Sequence, residues 1–438
     1  MNTKHALSRL AFFLIGAVAL ALFLQACSFN LPQEEICSQI DKLPLTPAST
    51  PPPALVFEDP GTIKVMHGSA CAHINKGPFI KVEQSTDIPD YANTAAVFLN
   101  GWRLKYSGGD HHVAAIATAL GKIKFEPRKF TWQAVGALTD DGFDRAIDWC
   151  YSFTVIAWND VNLHAFVDQG DADSFCRSGG TPSGSDNFFF TSNNGTDTAL
   201  SALPTFLSDA KFASGRTAAV LPRGFGFNWG TRPREDHHLL QIAYNLEHSE
   251  TFIQNQSYKK ALGELSPLPT PPTGRVGSDF VSWNTSAIFK DKDTRRDYSF
   301  GEFVSGMGGP DVGVIQPPFS ILPIKGFGRF EGACVGEHGA GEQTEDVVID
   351  NIPYAYAIPM LTGWQLAYGC PRDHHVREVG ISIDNLHYDK DPVASSGTLR
   401  YRVSSILRDD SDHRHAFRHK VTILGLHPLV AAPGPVIP

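Results

Sequence analysis

GWRLKY at residues 101–106, followed by Asp110-His111-His112, is the stretch that decides the fold, because the chain states it three times. The second copy reads GFGFNW at 224–229, followed by Asp236-His237-His238. The third copy reads GWQLAY at 363–368, followed by Asp373-His374-His375. Self-similarity at a long period indicates one folding unit that is used repeatedly. The sequence therefore predicts an internal repeat with three copies.

The residues of each copy alternate between apolar and polar, which is typical of half-buried β-strands. Trp102, Leu104 and Tyr106 fall on one face of such a strand. Gaps of 3, 6 and 4 residues separate this strand from the Asp-His-His triplet in the three copies. Gaps of that length predict a hairpin between this strand and the next. We expect an all-β protein of three tandem β-sandwich modules, of jelly-roll or Ig-like type.

The chain divides into five predicted ranges. We expect a signal peptide at 1–26, a Pro-rich tether at 27–55, and β-sandwich repeats at 56–165, 166–318 and 319–438. The middle repeat carries two insertions rich in small and polar residues or in proline, at 171–196 and 249–277. Helix is expected to be minor, and the best candidate for a short helix is 199–212.

The N-terminus has the features of an export signal. Lys4 and Arg9 precede an apolar run at 10–24, and Leu-Gln-Ala stands directly before Cys27. This pattern resembles the bacterial lipoprotein signal, which implies that Cys27 becomes a lipidated N-terminus. Because Ser28 and not aspartate follows, we expect an exported protein anchored by lipid at the outer membrane or cell surface. An uncleaved anchor or an ordinary signal peptide are the alternatives.

The charge of the chain excludes one class of partner. The formal net charge is −9 at pH 7, and removal of the signal takes away two further positive charges. Charged residues make up 19% of the chain and form no basic run. Nucleic-acid binding needs a basic surface, so we exclude it as a main function.

The cysteines indicate disulfides. Six remain once Cys27 is assigned to lipid, and an even number is typical of exported proteins. From proximity along the chain we predict three pairs, namely Cys37 with Cys71, Cys150 with Cys176, and Cys334 with Cys370.

The Asp-His-His triplets are the sharpest candidates for chemistry. Because adjacent residues of a strand point to opposite faces, Asp110 and His112 would share one side and His111 would take the other. One triplet then offers a metal ion at most one Asp and one His, and no HExxH motif or second His cluster recurs to complete the set. We expect a structural role for the triplets. Metal or ligand binding and catalysis are the alternatives.

Aspartates after the third strand-like stretch of each copy form a second candidate site. They are Asp140, Asp141, Asp291, Asp293, Asp409, Asp410 and Asp412. Clustered carboxylates suit calcium, which takes six to eight oxygen ligands, but aspartate also favours turns through its own backbone. We expect turns, with calcium as the alternative and no other cofactor. The His-rich stretch 413–419 is interpreted as a solvated loop, with transition-metal capture as its alternative.

Repeated modules on a lipid anchor favour a multivalent binding or interaction protein, with carbohydrate or an envelope or extracellular protein as its ligand. One alternative is a secreted or envelope-bound hydrolase whose site lies in the middle repeat with its insertions. A structural component of an envelope or extracellular assembly is the other. No Gly-x-Ser-x-Gly elbow and no phosphate-binding glycine loop supports a particular reaction.

Overall fold

Alternating apolar and polar side chains produce strands through most of the chain that can be described. The fold is taken from a computed structural model. It describes residues 45–49, 53–59, 61–77, 79–142, 144–160, 163–167, 188–192, 198–201, 205–206, 217–229, 236–247, 250–252, 280–281, 284–291, 298–308, 312–315, 342–368, 374–390, 396–411 and 415–428.

Twenty-four strands occupy these residues, with turns and loops between them. They are β1 (Ala48–Ser49), β2 (Ala54–Asp59), β3 (Ile63–Ile74), β4 (Phe79–Asp87), β5 (Thr94–Tyr106), β6 (Ala115–Glu126), β7 (Lys129–Thr139), β8 (Ile147–Trp158), β9 (His164–Val167), β10 (Phe188–Ser192), β11 (Thr198–Ser201), β12 (Thr205–Phe206), β13 (Thr217–Trp229), β14 (Gln241–Glu247), β15 (Glu250–Phe252), β16 (Phe280–Val281), β17 (Asn284–Lys290), β18 (Tyr298–Gly308), β19 (Val312–Ile315), β20 (Glu342–Ile352), β21 (Tyr354–Tyr368), β22 (Glu378–Lys390), β23 (Gly397–Arg408) and β24 (His415–Pro428).

The all-β prediction is confirmed for the described residues, which contain no helix. Within the segment predicted as a short helix, 199–212, the described residues belong to β11 and β12 and are strand; the others lie outside the described residues. Among the described ranges there is accordingly no helix of the length and hydropathy that a membrane crossing needs.

The strands form three antiparallel sheets and one small two-stranded ribbon, β12 with β16. The first sheet has the order β1-β3-β8-β5-β22-β23-β20, and β2 also pairs with β3. The second has the order β10-β18-β13-β6-β7-β4, and β15 and β9 pair with β13 and β18. The third has the order β11-β17-β14-β21-β24-β19.

The three GWxLxY-type strands, β5, β13 and β21, lie in three different sheets. In each copy the strand after the triplet belongs to another sheet: β6 pairs with β13, β14 with β21, and β22 with β5. The predicted hairpins are therefore wrong. The physical reason is that a short loop serves equally for a hairpin and for a crossing between sheets, and here the triplet segment crosses.

Each sheet consequently takes strands from two of the three predicted repeat ranges. The first sheet joins β3, β8 and β5 from 56–165 with β22, β23 and β20 from 319–438. The last part of the predicted tether also enters this sheet, since Ala48 pairs with Ala72. No described sheet of six or more strands is built from one predicted range alone.

The contacts between copies have the same register in all three places. The glycine that opens each GWxLxY-type stretch faces the residue nine positions after the Asp of another copy's triplet. Gly101 faces Ser382, Gly224 faces Ala119 and Gly363 faces Asn245. The register of β5, β13 and β21 with the strand on their other side also shifts directly before each glycine, at Asn100, Arg223 and Thr362. All three bulged residues are fully buried.

Two of these glycines are required by close approach of the neighbouring strand. A Cβ at Gly101 would lie 2.5 Å from Cα of Ser382, and one at Gly224 would lie 2.5 Å from Cα of Ala119. Such distances are far inside van der Waals contact with backbone, so a larger residue would push the paired strands apart. These glycines therefore allow the paired strands to approach closely.

The core lies where the three sheets meet. Trp102 and Leu104 are 2% and 0% exposed, which confirms the predicted buried face of that strand. Trp102, Phe225 and Trp364, one from each copy, form a triangle with ring centroids 5.1 to 5.2 Å apart. Aromatic rings at this spacing add to the free energy of burial. The three sheets therefore all contribute side chains to the largest described hydrophobic cluster.

The disulfide prediction is wrong for two of its three pairs. Cys71 is bonded to Cys150, and the two residues face each other across β3 and β8 with 4.0 Å between their Cα atoms. Sequence proximity misled because pairing of these strands brings together residues 79 positions apart. Cys37, Cys176, Cys334 and Cys370 lie outside the described residues.

Candidate metal centre

Backbone hydrogen bonds join the three Asp-His-His segments into a closed ring. His111 bridges to Val376, Val113 to His237, and Leu239 to His374. Each bridge has two N–H···O=C hydrogen bonds of 2.8 to 3.1 Å. The last residue of each triplet therefore stands between two bridging residues, at the same place in each segment.

These last residues, His112, His238 and His375, bring their side chains together. One ring nitrogen of each lies within 4.8 Å of the others. The ring centroids are 4.5, 4.6 and 4.7 Å apart. We call this group the histidine triangle. Within the described ranges it is the group of His, Cys, Asp or Glu side chains that is placed to share a metal ion.

Two aspartates of the triplets, Asp236 and Asp110, contact the histidine triangle, and each contacts a histidine of another copy. Nδ1 of His112 is hydrogen-bonded to Oδ1 of Asp236 at 3.3 Å. Nδ1 of His375 lies 3.5 Å from Oδ1 of Asp110. A carboxylate at Nδ1 favours a proton there, which leaves the lone pair on Nε2. Asp373, the third of these aspartates, lies outside the described residues.

One side of the histidine triangle is open to solvent and the other is closed by the core. The side chains of His112 and His375 are both 40% exposed. The residues that follow the three histidines, Val113, Leu239 and Val376, are fully buried. A bound ion would therefore have protein below it and room for water or another ligand above.

Tyrosines of the GWxLxY stretch fix the backbone at two of the three histidines. The hydroxyl of Tyr106 donates to the carbonyl oxygen of His112 at 3.3 Å, and that of Tyr368 donates to the carbonyl of His375 at 2.9 Å. Burial raises the pKa of Tyr106 and Tyr368 well above the ordinary value, so both remain donors. Trp229 occupies the corresponding position of the second copy.

The middle histidines of the triplets have a different environment. His111, His237 and His374 pack against Tyr106, Trp229 and Tyr368, with ring centroids 5.0, 5.5 and 4.7 Å apart. Nδ1 of His374 lies 3.1 Å from Asp409, and Nδ1 of His237 lies 3.7 Å from Asp291. Burial, with the nearby Arg145, lowers the pKa of His111. The middle histidines thus link the hydrogen-bonded ring of Asp-His-His segments to the sheets.

The aspartates considered for calcium have partners of their own. Asp140, Asp291 and Asp409 are only 2 to 4% exposed. Asp140 accepts hydrogen bonds from Arg145 and from the N–H of Gly142, and Asp409 accepts one from the N–H of Ser411.

The remaining aspartates of that set either lie near the Asp-His-His segments or fall outside the described residues. The N–H of Asp141 donates to Asp236, and that of Asp410 donates to Asp110. Asp293 and Asp412 lie outside the described residues. Calcium at these aspartates stays the untested alternative to turns.

The His-rich stretch 413–419 is not a solvated loop where it is described. His415 and His419 are 3% and 6% exposed and lie on β24. Nε2 of His415 is 3.1 Å from Oγ of Ser405, and burial lowers its pKa to about 4. Nδ1 of His419 lies 3.7 Å from Glu345. The error arose because charged neighbours in sequence, such as Arg418, alternate with residues of the buried face.

Sequence reasoning found the residues of the histidine triangle and missed their combination. One triplet offers a metal ion a single histidine, and the two other histidines belong to the other two copies. The signal was the triple occurrence itself, because three copies in one register place one histidine each at a common point. No family model matches the chain, and comparison with curated proteins gives no match either.

Proposed function

We propose that this protein binds one first-row transition-metal ion, of the Zn²⁺ or Cu²⁺ type, through Nε2 of His112, His238 and His375. The observation that carries the proposal is the approach of three ring nitrogens to within 4.8 Å of one another. Tetrahedral Zn–N bonds place ligand nitrogens about 3.3 Å apart. Each ring would therefore move inward by no more than about 1 Å to reach this spacing.

The protonation pattern supports this reading. With a proton on Nδ1 toward Asp236 and Asp110, the rings of His112 and His375 keep the lone pair on Nε2, where it can bind a metal ion. Lone pairs that are brought close together repel one another unless a positive charge lies between them. A metal ion supplies that charge with three ligands already placed. Imidazole nitrogens suit zinc, copper, nickel and cobalt, whereas calcium and magnesium prefer oxygen ligands.

Equal pairing registers at the three glycines support the further proposal that the three ranges are copies of one unit. In that arrangement the metal site belongs to no single copy and needs all three. The assignment of each copy to a β-sandwich stays a prediction.

The wider role that we propose is that of an exported binding protein on a lipid anchor at Cys27, at the outer membrane or cell surface. The Leu-Gln-Ala-Cys sequence and the Pro-rich segment after it support this location. A glycan or an envelope protein as a further ligand stays a prediction.

Hydrolysis is a second candidate function. The open side of the histidine triangle is the observation that favours it, because a three-histidine zinc ion with a free position binds water and lowers the pKa of that water. The reacting group would then lie between the copies and not in the middle repeat. Zinc-dependent cleavage of an activated ester, lost in His238→Ala, would support this function.

Metal titration of the purified full-length protein tests the main proposal. After treatment with a chelator, calorimetry with Zn²⁺, Cu²⁺, Ni²⁺ and Ca²⁺ should give one site for a transition metal. The triple variant His112→Ala/His238→Ala/His375→Ala should lose that site. His387→Ala, which changes an exposed histidine of β22, is the matched control and should keep it. Retained binding in the triple variant, or no binding in the wild type, would overturn the proposal.

A further inference from the structure

We infer that Asp110 and Asp236 are positioning residues for the metal, each orienting a histidine that another copy contributes. This inference rests on the proposed metal function. Asp236 comes from the second copy and holds His112 of the first, at 3.3 Å from Nδ1. Asp110 comes from the first copy and lies 3.5 Å from Nδ1 of His375 in the third.

The Oδ2 atom of each of these two carboxylates also accepts a hydrogen bond from a backbone N–H. Oδ2 of Asp110 accepts the backbone N–H of Asp410 at 3.2 Å. Oδ2 of Asp236 lies 3.4 Å from the backbone nitrogen of Asp141, which donates to it. The hydrogen bond at Oδ2 restricts rotation of the carboxylate and so fixes the direction in which Oδ1 faces the histidine. The backbone N–H that makes this hydrogen bond belongs to the same copy as the histidine.

The aspartate, its backbone donor and the histidine thus form one unit across two copies. Asp110 contacts both His375 and Asp410 of the third copy, and Asp236 contacts both His112 and Asp141 of the first. Both side chains are mostly shielded, with exposed fractions of 24% and 19%. Shielding strengthens a charge-assisted hydrogen bond relative to one in water.

The effect on a metal ligand is twofold. A carboxylate that accepts the Nδ1 proton fixes the ring so that Nε2 faces the metal, and it makes that nitrogen a stronger donor. Loss of such a partner typically weakens metal binding by about 10- to 100-fold. The two aspartates would therefore tune affinity without touching the ion.

The molecule offers a matched control for this contact. Nε2 of His387 lies 2.7 Å from Oδ1 of Asp389, and both side chains are more than half exposed. Asp389→Asn removes the same charge and the same kind of aspartate–histidine contact at a place outside the triangle.

The test compares Asp110→Ala, Asp236→Ala, Asp110→Asn and Asp236→Asn with Asp389→Asn in the full-length protein. Zn²⁺ affinity is measured by competition with a chelating dye, and ligand geometry by the visible spectrum of the Co²⁺ form. We expect affinity to fall about 10- to 100-fold in the alanine variants. The asparagine variants should fall less, because the amide oxygen still accepts from Nδ1. The Co²⁺ bands should shift in both, and Asp389→Asn should match the wild type.

The outcomes separate the two proposals. Wild-type binding with alanine and asparagine variants within twofold of it would overturn the positioning role and leave the metal site standing. Absence of binding in the wild type would overturn both. If an alanine variant does not fold, as judged by circular dichroism of the metal-free protein, the asparagine variant of the same residue decides.

Discussion

In two histidine-rich regions of the molecule, separation along the chain and contact in the structure are related in opposite ways. His112, His238 and His375 are more than 100 positions apart in the chain, yet their rings meet. His415 and His419 are four positions apart on β24, and their side chains have separate partners, Ser405 and Glu345. The arrangement of paired strands, and not density of histidine in the sequence, therefore creates the candidate metal site.

The two regions also differ in their access to water. In the histidine triangle, the side chains of His112 and His375 are both 40% exposed. Those of β24 are buried, with Phe417 between them. Exposed rings can adjust to an ion, whereas buried rings are fixed by packing. Metal binding is expected only in the first region, and effects of burial on stability in the second.

Removal of one ligand is the largest expected effect. His112→Ala, His238→Ala or His375→Ala should each weaken Zn²⁺ binding by about 1000-fold, or about 4 kcal/mol, since a two-histidine site remains. His415→Ala and His419→Ala should bind as the wild type does. Competition with a chelating dye measures all five. Equal losses in the two groups would remove the distinction between the regions.

The pH dependence of stability should report on β24. Burial lowers the pKa of His415 to about 4 in the folded protein, against an ordinary pKa of 6.5 for histidine. The unfolded chain therefore binds more protons between these values. Stability from this group is complete above about pH 6.5 and is lost as the pH falls toward 4, by about 3 kcal/mol in total.

Urea unfolding of the metal-free protein at pH 7 and pH 4.5 measures this loss. His415→Gln should lose less stability than the wild type between the two pH values, whereas the exposed-site variant His387→Gln should lose as much. A His415→Gln variant with the wild-type difference would show that this ring does not govern acid sensitivity.

Metal should stabilise the folded protein through the first region alone. At a free Zn²⁺ concentration of 100 times the dissociation constant, the gain in free energy of unfolding is about 2.7 kcal/mol. Thermal melts with and without chelator should show this gain in the wild type and in His415→Gln, and not in His238→Ala. A gain in His238→Ala would place the stabilising ion elsewhere.

The smallest expected effect concerns the tyrosines that are hydrogen-bonded to the backbone of the histidine triangle. Tyr106→Phe and Tyr368→Phe remove the hydrogen bonds to the carbonyls of His112 and His375. Each should cost about 1 kcal/mol of stability. Tyr388→Phe, which removes a hydroxyl that donates to the carbonyl of Tyr354, should cost a similar amount and leave metal affinity unchanged. Only the first two should also weaken Zn²⁺ binding.

The alternation of apolar and polar residues, and the face that a strand buries, could be predicted from sequence because both are local properties of a strand. The alternation of Trp102, Leu104 and Tyr106 was enough to assign a buried face, and all three are buried. The same information did not predict which strands pair, since a short loop fits both a hairpin and a crossing. The histidine triangle depends on that pairing, so its residues were identified but not their meeting.

Burial on β24 and the disulfide illustrate the same limit. His415 and His419 look solvated beside Arg418, and only their position on β24 against Ser405 and Glu345 reveals a buried face. Cys71 and Cys150 meet because β3 and β8 pair, which neighbouring sequence does not specify. Long-range strand pairing is decided by packing of the whole chain and not by any one segment.

The pairing of β5 with β22 has a consequence for the order of folding. Arg103 of β5 and Glu378 of β22, which are in contact, are separated by 275 positions. Strand pairs so distant in sequence form slowly, because a long loop must close before any contact offsets its entropy. We expect the edge of β5 that faces β22 to stay unpaired until β22 of the third copy packs against it. Because His375 belongs to the third copy, the three histidines would come together only when that copy has folded. The ability to bind a metal ion would then mark the completion of folding.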